Sequence, residues 1–129
     1  NIQGEDGNDR IFGQDGDDNI SGGNGNDTVD GGTGDDTLSG GADIDRLYGR
    51  DGNDWMIGAD GNDLLWGNDG NDTLAGNAGN DYIRGGNGND KLWGVYGDDQ
   101  LYGDAGNDWL SGGSSNDKLY GGTGRDTLY

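Results

Sequence analysis

The sequence predicts an all-β protein, a right-handed parallel solenoid flattened into two sheets, with two repeats per coil and about seven coils. Three regularities predict this fold class. An Asp recurs every nine residues without a slip, fourteen times in 129 residues. A glycine lies five residues before each of these Asp residues. An aliphatic residue lies two residues after each of them.

The nine-residue repeat divides into six turn-forming residues and three residues centred on the aliphatic position. Three residues are too few for a helix, and their β-branched and aromatic flanks favour a strand one pleat long. Alternation directs the aliphatic side chain to one face of the strand and its two neighbours to the other. One repeat cannot bury that side chain alone. Coils stacked about 4.8 Å apart would bury it in a thin core between two sheets, in a roll about 34 Å long.

The composition limits the partners that the chain can have. Only 27% of the residues are hydrophobic, 32 are glycine, and the formal net charge is −19. This charge disfavours binding to nucleic acid and insertion into anionic membranes, and it favours divalent cations. The chain has no Cys and no His, which excludes disulfides, thiolate metal sites and the usual zinc ligand.

Several repeats match a known motif closely. The segments GGNGND at 22–27, GGTGDD at 31–36 and GGNGND at 85–90 resemble the RTX (repeats-in-toxin) calcium-binding nonapeptide, and the similarity covers the whole chain. This resemblance implies a parallel β-roll with Ca²⁺ in the turns on both edges. It also implies export by type I secretion, followed by folding outside the cell.

The chemistry of the turns also predicts calcium. Ca²⁺ takes six to eight oxygen ligands, and glycine-rich turns can direct backbone carbonyls to one centre while the closing Asp adds a carboxylate. Turns one coil apart could hold one ion between them, so fourteen turns would hold up to about twelve ions. The aliphatic core is too thin to order the chain, so we expect folding to require Ca²⁺. The predicted metal-binding residues are Asp9, Asp18, Asp27, Asp36, Asp45, Asp54, Asp63, Asp72, Asp81, Asp90, Asp99, Asp108, Asp117 and Asp126.

One outer face is expected to be rich in aromatic and cationic residues, because positions 18 apart stack on the same sheet. These side chains either shield a thin sheet or form a binding strip for an acidic or neutral polysaccharide or for another domain of the same protein. The candidate ligand-binding residues are Arg10, Arg46, Tyr48, Trp66, Tyr82, Arg84, Tyr102, Lys118 and Tyr120.

The sequence predicts no catalytic residue, because its carboxylates form a uniform series with no His, Cys or pocket-forming insertion. We expect residues 1–129 to be a single RTX β-roll segment of fourteen nonapeptides, excised from a longer protein that is secreted or displayed on the cell surface. That parent protein could carry a separate catalytic domain. Two alternatives remain open: a structural, adhesin or surface-layer spacer, and a glycan-binding module that uses the aromatic and Arg face.

The segment GGADIDRLY at 40–48 departs from the repeat. Asp43 occupies a position where twelve of the fourteen repeats have glycine, and Ser115 is the other exception. We expect a positive φ at this position, which Asp tolerates better than most residues. Ile44 replaces a residue that is Asn in the repeats stacked on either side. It represents either tolerated drift or a contact with a partner.

Overall fold

The computed structural model describes all residues from 1 to 129 and contains fifteen strands and no helix. The strands are β1 (Ile2–Asp6), β2 (Arg10–Asp15), β3 (Asn19–Asn24), β4 (Thr28–Thr33), β5 (Thr37–Ala42), β6 (Arg46–Asp51), β7 (Trp55–Asp60), β8 (Leu64–Asp69), β9 (Thr73–Ala78), β10 (Tyr82–Asn87), β11 (Lys91–Tyr96), β12 (Gln100–Ala105), β13 (Trp109–Ser114), β14 (Lys118–Thr123) and β15 (Thr127–Leu128).

The strands form two parallel sheets. The eight odd-numbered strands make one sheet and the seven even-numbered strands make the other, each in sequence order. Paired residues are 18 positions apart, as in Ile20 with Leu38. This register places two repeats in each coil. It confirms the predicted all-β, two-sheet parallel solenoid of about seven coils.

The strands are longer than the sequence analysis predicted. Almost all have six residues instead of three, and β10 for example continues from Tyr82 through Gly85 and Gly86 to Asn87. The prediction treated the glycine-rich positions as turn. It was wrong because backbone pairing with the next coil continues through them, as Gly86 pairs with Asp104. Glycine has the same backbone N–H and C=O groups as any other residue, and the parallel strands on both sides form hydrogen bonds with them.

The core is a single column of side chains between the sheets. Twelve aliphatic residues are buried, one from each repeat from Ile11 to Leu110. Along each strand the next inward-facing position is the repeat's first glycine, such as Gly58 after Met56, and it is also buried in the interior coils. The inner surface therefore alternates an aliphatic side chain with a position that has no side chain.

The turns require positive φ at the fourth position of the repeat. Glycines there have φ between 105° and 147°, and a Cβ at Gly61 would collide with the carbonyl of Asp43 in the preceding coil. Asp43 and Ser115 have φ of 77° and 91°, closer to the left-handed region that L residues can adopt. The expected positive φ at Asp43 is confirmed, and a smaller φ distinguishes both exceptions from the glycines.

Candidate calcium sites

The Asp that ends each turn directs its side chain into the roll. Ten of the fourteen are buried, and the four in the terminal coils (Asp9, Asp18, Asp117 and Asp126) are partly exposed. The buried residues are Asp27, Asp36, Asp45, Asp54, Asp63, Asp72, Asp81, Asp90, Asp99 and Asp108. Asp is rarely buried unless it is paired, so a column of ten requires an explanation.

One oxygen of each carboxylate from Asp27 to Asp126 has a hydrogen-bond partner. The backbone N–H of Asp45 donates to Oδ1 of Asp63 at 2.9 Å, and that of Asp63 donates to Oδ1 of Asp81 at 2.8 Å. The same bond joins every pair of Asp residues one coil apart, twelve in all. These bonds fasten each turn to the next along both edges of the roll.

The second oxygen has no partner. In eleven of the fourteen carboxylates, Oδ2 is buried and accepts no hydrogen bond. Oδ2 of Asp63 lies against Gly58, and the carbonyl oxygen of Gly76 borders the same space, which a Cβ on Gly58 would fill. Glycine at this position therefore makes room for the carboxylate. Buried, unpartnered acceptors carry a substantial free-energy cost, particularly when charged.

Burial raises the pKa of the interior carboxyl groups. The main cause of the raised pKa is desolvation of the charged form. The hydrogen bond from the backbone of the preceding coil lowers the pKa, whereas the charges of neighbouring carboxylates raise it further. The pKa rises from its ordinary value of 3.8 to about 7 for Asp45, Asp72 and Asp81, and to about 6 for Asp54, Asp63 and Asp90. At neutral pH the column therefore holds negative charge at a cost that a cation would remove.

The oxygens present suit a hard cation. The unpartnered Oδ2 atoms and the adjacent glycine carbonyls are all oxygen donors, which Ca²⁺ prefers. Three acidic side chains do not converge on one point anywhere in the chain. An ion in these turns would therefore take one or two carboxylates and complete its shell with backbone carbonyls, as the glycine-rich sequence allows.

A second series of hydrogen bonds between coils, the outer ladder, involves the residue that precedes each repeat Asp. The Oδ1 bonds between the repeat Asp residues form the inner ladder. The backbone N–H of Asn80 donates to Oδ1 of Asn62 at 2.7 Å, and that of Asp98 donates to Oδ1 of Asn80 at 2.8 Å. Eleven such bonds are present. The series is interrupted at Asn62, because Ile44 has no side-chain oxygen to accept its N–H. This ladder was not predicted from the sequence, although an Asn or Asp recurs immediately before most of the repeat Asp residues and could have indicated it.

The candidate ligand-binding residues all lie on the seven-stranded sheet. Five of them form a continuous aromatic run, with ring centroids 4.7 Å apart for Tyr48 and Trp66, 6.3 Å for Trp66 and Tyr82, 5.2 Å for Tyr82 and Tyr102, and 4.7 Å for Tyr102 and Tyr120.

The cations on this sheet have different environments. Arg10 lies over the ring of Phe12 at 5.2 Å, and Arg84 pairs with Asp104, whereas Arg46 and Lys118 form no ion pair. Arg50 pairs with Asp30 at 2.7 Å and lies 5.0 Å from the ring centroid of Tyr48. No role for Arg50 was predicted from the sequence. The ion pair could have been predicted from the spacing, because Asp30 and Arg50 are 20 residues apart, which is one coil plus two residues. Arg84 and Asp104 have the same spacing.

The fold is a parallel β-solenoid, and its buried carboxylates are candidate cation ligands. The family model of the RTX calcium-binding nonapeptide repeat matches the chain four times, at residues 1–29, 30–65, 66–94 and 93–128. The chain belongs to this family. No curated protein matches it significantly.

Membership in the family defines the general character of the chain. RTX repeats bind Ca²⁺, so the chain is a calcium-binding β-roll module, and such repeats are structural rather than catalytic. Proteins with these repeats are typically secreted. No helix in the chain is long and apolar enough to cross a membrane.

Proposed function

We propose that residues 1–129 are a calcium-triggered folding module within a longer secreted or surface protein that is exported by type I secretion. The observation that carries the proposal is the set of eleven buried Oδ2 atoms without a partner. Without a cation, the fold must bury a row of charges or protonate it. With Ca²⁺ the same row becomes a ligand set, and the free energy of metal binding becomes free energy of folding.

The calcium requirement would match the direction of export. Extracellular calcium modules bind with dissociation constants of about 10⁻⁴ to 10⁻³ M, far above cytosolic calcium levels. The chain would remain unfolded inside the cell and could pass through a narrow channel. It would fold after release into a medium that contains calcium.

The repeat Asp residues from Asp9 to Asp126 would hold the ions together with turn carbonyls. Fourteen turns make twelve pairs one coil apart, the same number as the Oδ1 bonds between coils. Twelve divalent ions would change the formal charge from −19 to +5. The acidic excess therefore suits a nearly full set of sites.

A second candidate function is a rigid spacer in an adhesin or surface-layer protein. The observation that favours it is the unbroken pairing of fifteen strands in a stack without a helix or a long loop. In either function, catalysis would belong to a separate domain of the parent protein. The aromatic face would be available to another domain of the same protein.

Isothermal titration calorimetry of the calcium-free chain tests the proposal. We expect an apparent affinity of about 10⁻⁴ to 10⁻³ M and about twelve ions at saturation, with folding followed by circular dichroism in the same samples. Magnesium should substitute poorly, because it demands octahedral geometry and loses its water reluctantly. Saturation at one or two ions, or sub-micromolar affinity that cytosolic calcium could satisfy, would overturn the proposal.

A further inference from the structure

An open, mostly polar pocket of about 310 Å³ lies on the outer surface of the seven-stranded sheet. It spans β8, β10 and β12 and is centred on Gly86. Gly86 pairs with Asn68 on one side and with Asp104 on the other, and both of these neighbours carry side chains. In this row the position at the centre of the pocket therefore has no side chain.

Trp66 forms one wall of the pocket. One face of its ring stacks on Tyr48 with an interplanar angle of 4°, and Tyr82 lies tilted at 49° with its centroid 6.3 Å away. Arg84, the neighbour of Trp66 on the next strand, directs its guanidinium to Asp104 through two hydrogen bonds of 2.8 and 2.7 Å, and Trp66 and Arg84 both line the pocket. The indole therefore supplies the pocket with aromatic surface.

The rim of the pocket offers both acceptors and donors. Nδ2 of Asn68 donates to the carbonyl of Trp66 at 3.2 Å, and Nδ2 of Asn87 donates to Oδ1 of Asp69 at 2.6 Å. Both amides are thereby oriented, and their Oδ1 atoms remain available to accept hydrogen bonds. Arg84 uses Nε and one terminal nitrogen on Asp104, which leaves the other terminal nitrogen as a donor.

We propose that this pocket binds a neutral hexopyranose unit of a polysaccharide, a function beyond calcium-dependent folding. A pyranose ring has an apolar C–H face that can pack on an indole, and its hydroxyls both donate and accept hydrogen bonds. The two carboxylates and one guanidinium of the rim sum to a single negative charge. This charge disfavours an acidic sugar and selects a neutral one.

The experiment uses the calcium-saturated chain and isothermal titration calorimetry with three neutral probes, cellohexaose, maltohexaose and mannohexaose, and one anionic probe, hexagalacturonate. We expect at least one neutral hexamer to bind with a dissociation constant of roughly 1 mM or below, and more tightly than hexagalacturonate. Trp66→Ala should weaken this binding at least about tenfold, through loss of the stacking surface. Trp93→Ala is the matched control, because Trp93 follows its aliphatic residue in the same way but lies on the eight-stranded sheet.

A second variant separates binding from folding, because Trp66 also belongs to the aromatic run. Asn87→Ala removes a rim acceptor outside that run and should weaken binding while the calcium-induced circular dichroism spectrum stays unchanged. The proposal is overturned if none of the three neutral hexamers binds. It is also overturned if hexagalacturonate binds more tightly, or if Trp93→Ala weakens binding as much as Trp66→Ala does.

Discussion

Each interior Asp of the repeat uses its two carboxylate oxygens differently. In Asp63, Oδ1 accepts the backbone N–H of Asp45, while Oδ2 is buried beside Gly58 without a partner. The first oxygen fastens neighbouring coils to each other. The second is costly to bury as an anion and gains a partner only when a cation or a proton arrives. We propose that one side chain thereby combines a structural role with a calcium-dependent one.

Asp63→Asn separates these two roles. The amide keeps an oxygen for the Asp45 N–H but removes the charge from the calcium ligand. We expect the calcium concentration at the folding midpoint to rise about tenfold, because affinity depends on the charge of the ligands. Asp51→Asn, the same change at an exposed residue that ends β6, is the control and should shift the midpoint little. Equal shifts in the two variants would contradict a special role for the buried oxygen.

The raised pKa values predict how the calcium-free chain responds to pH. The folded pKa of Asp45, Asp72 and Asp81 is about 7, above the ordinary 3.8, so the fold binds protons more tightly than the unfolded chain. The resulting stabilisation is fully present below about 3.8 and is lost as the pH rises through about 7.

Circular dichroism in buffers freed of calcium on a chelating resin measures this effect. We expect β structure to increase as the pH falls, with a midpoint near 6 to 7, the range of the raised values. A midpoint near 4 would instead indicate titration of exposed carboxylates. An increase in β structure with rising pH would contradict the assignment.

At the scale of the element, each strand is held to the next by a backbone ladder and each turn by two side-chain ladders. The inner ladder of Asp residues is complete, whereas the outer ladder lacks one bond at Asn62. The residue responsible is Ile44, which is 42% exposed. Its own N–H still donates to Oδ1 of Asn26 at 2.9 Å. The irregular repeat is therefore a local defect in one ladder that leaves strand pairing intact.

Ile44→Asn should repair the defect. An Asn side chain would place an acceptor for the N–H of Asn62, and one added hydrogen bond stabilises a protein by about 1 kcal/mol. Urea unfolding of the calcium-saturated chain measures the change. Ile44→Ala removes the same exposed side chain without adding an acceptor and serves as the control. If Ile44→Asn is no more stable than Ile44→Ala, the outer ladder contributes nothing at this position.

The sequence predicted the architecture because its columns are strictly periodic. Period nine fixed the pairing of residues 18 apart, and the aliphatic column from Ile11 to Leu110 predicted the core. It did not predict strands of six residues, because glycine has a low strand propensity and pairs here only through stacking. Nor did it predict that Oδ2 of Asp63 would lie against Gly58, which depends on how the turn folds back over the strand.

At the scale of the whole molecule, the fold lacks the usual source of stability. Its core is one aliphatic side chain wide, a quarter of its residues are glycine (32 of 129), and its formal charge is −19. Glycine raises the conformational entropy lost on folding, and like charges oppose compaction. In the proposed function, calcium supplies the missing attraction and removes the excess charge together. We therefore expect all the coils to fold when calcium binds and to unfold when calcium is removed.

Far-ultraviolet circular dichroism of the wild-type chain at pH 7.5, first in excess chelator and then with about 10 mM calcium, tests this central claim most directly. We predict a disordered spectrum in chelator and a β spectrum after calcium is added, reversed by further chelator. Magnesium at the same concentration should not produce the change. A full β spectrum in chelator that calcium leaves unaltered would contradict calcium-triggered folding.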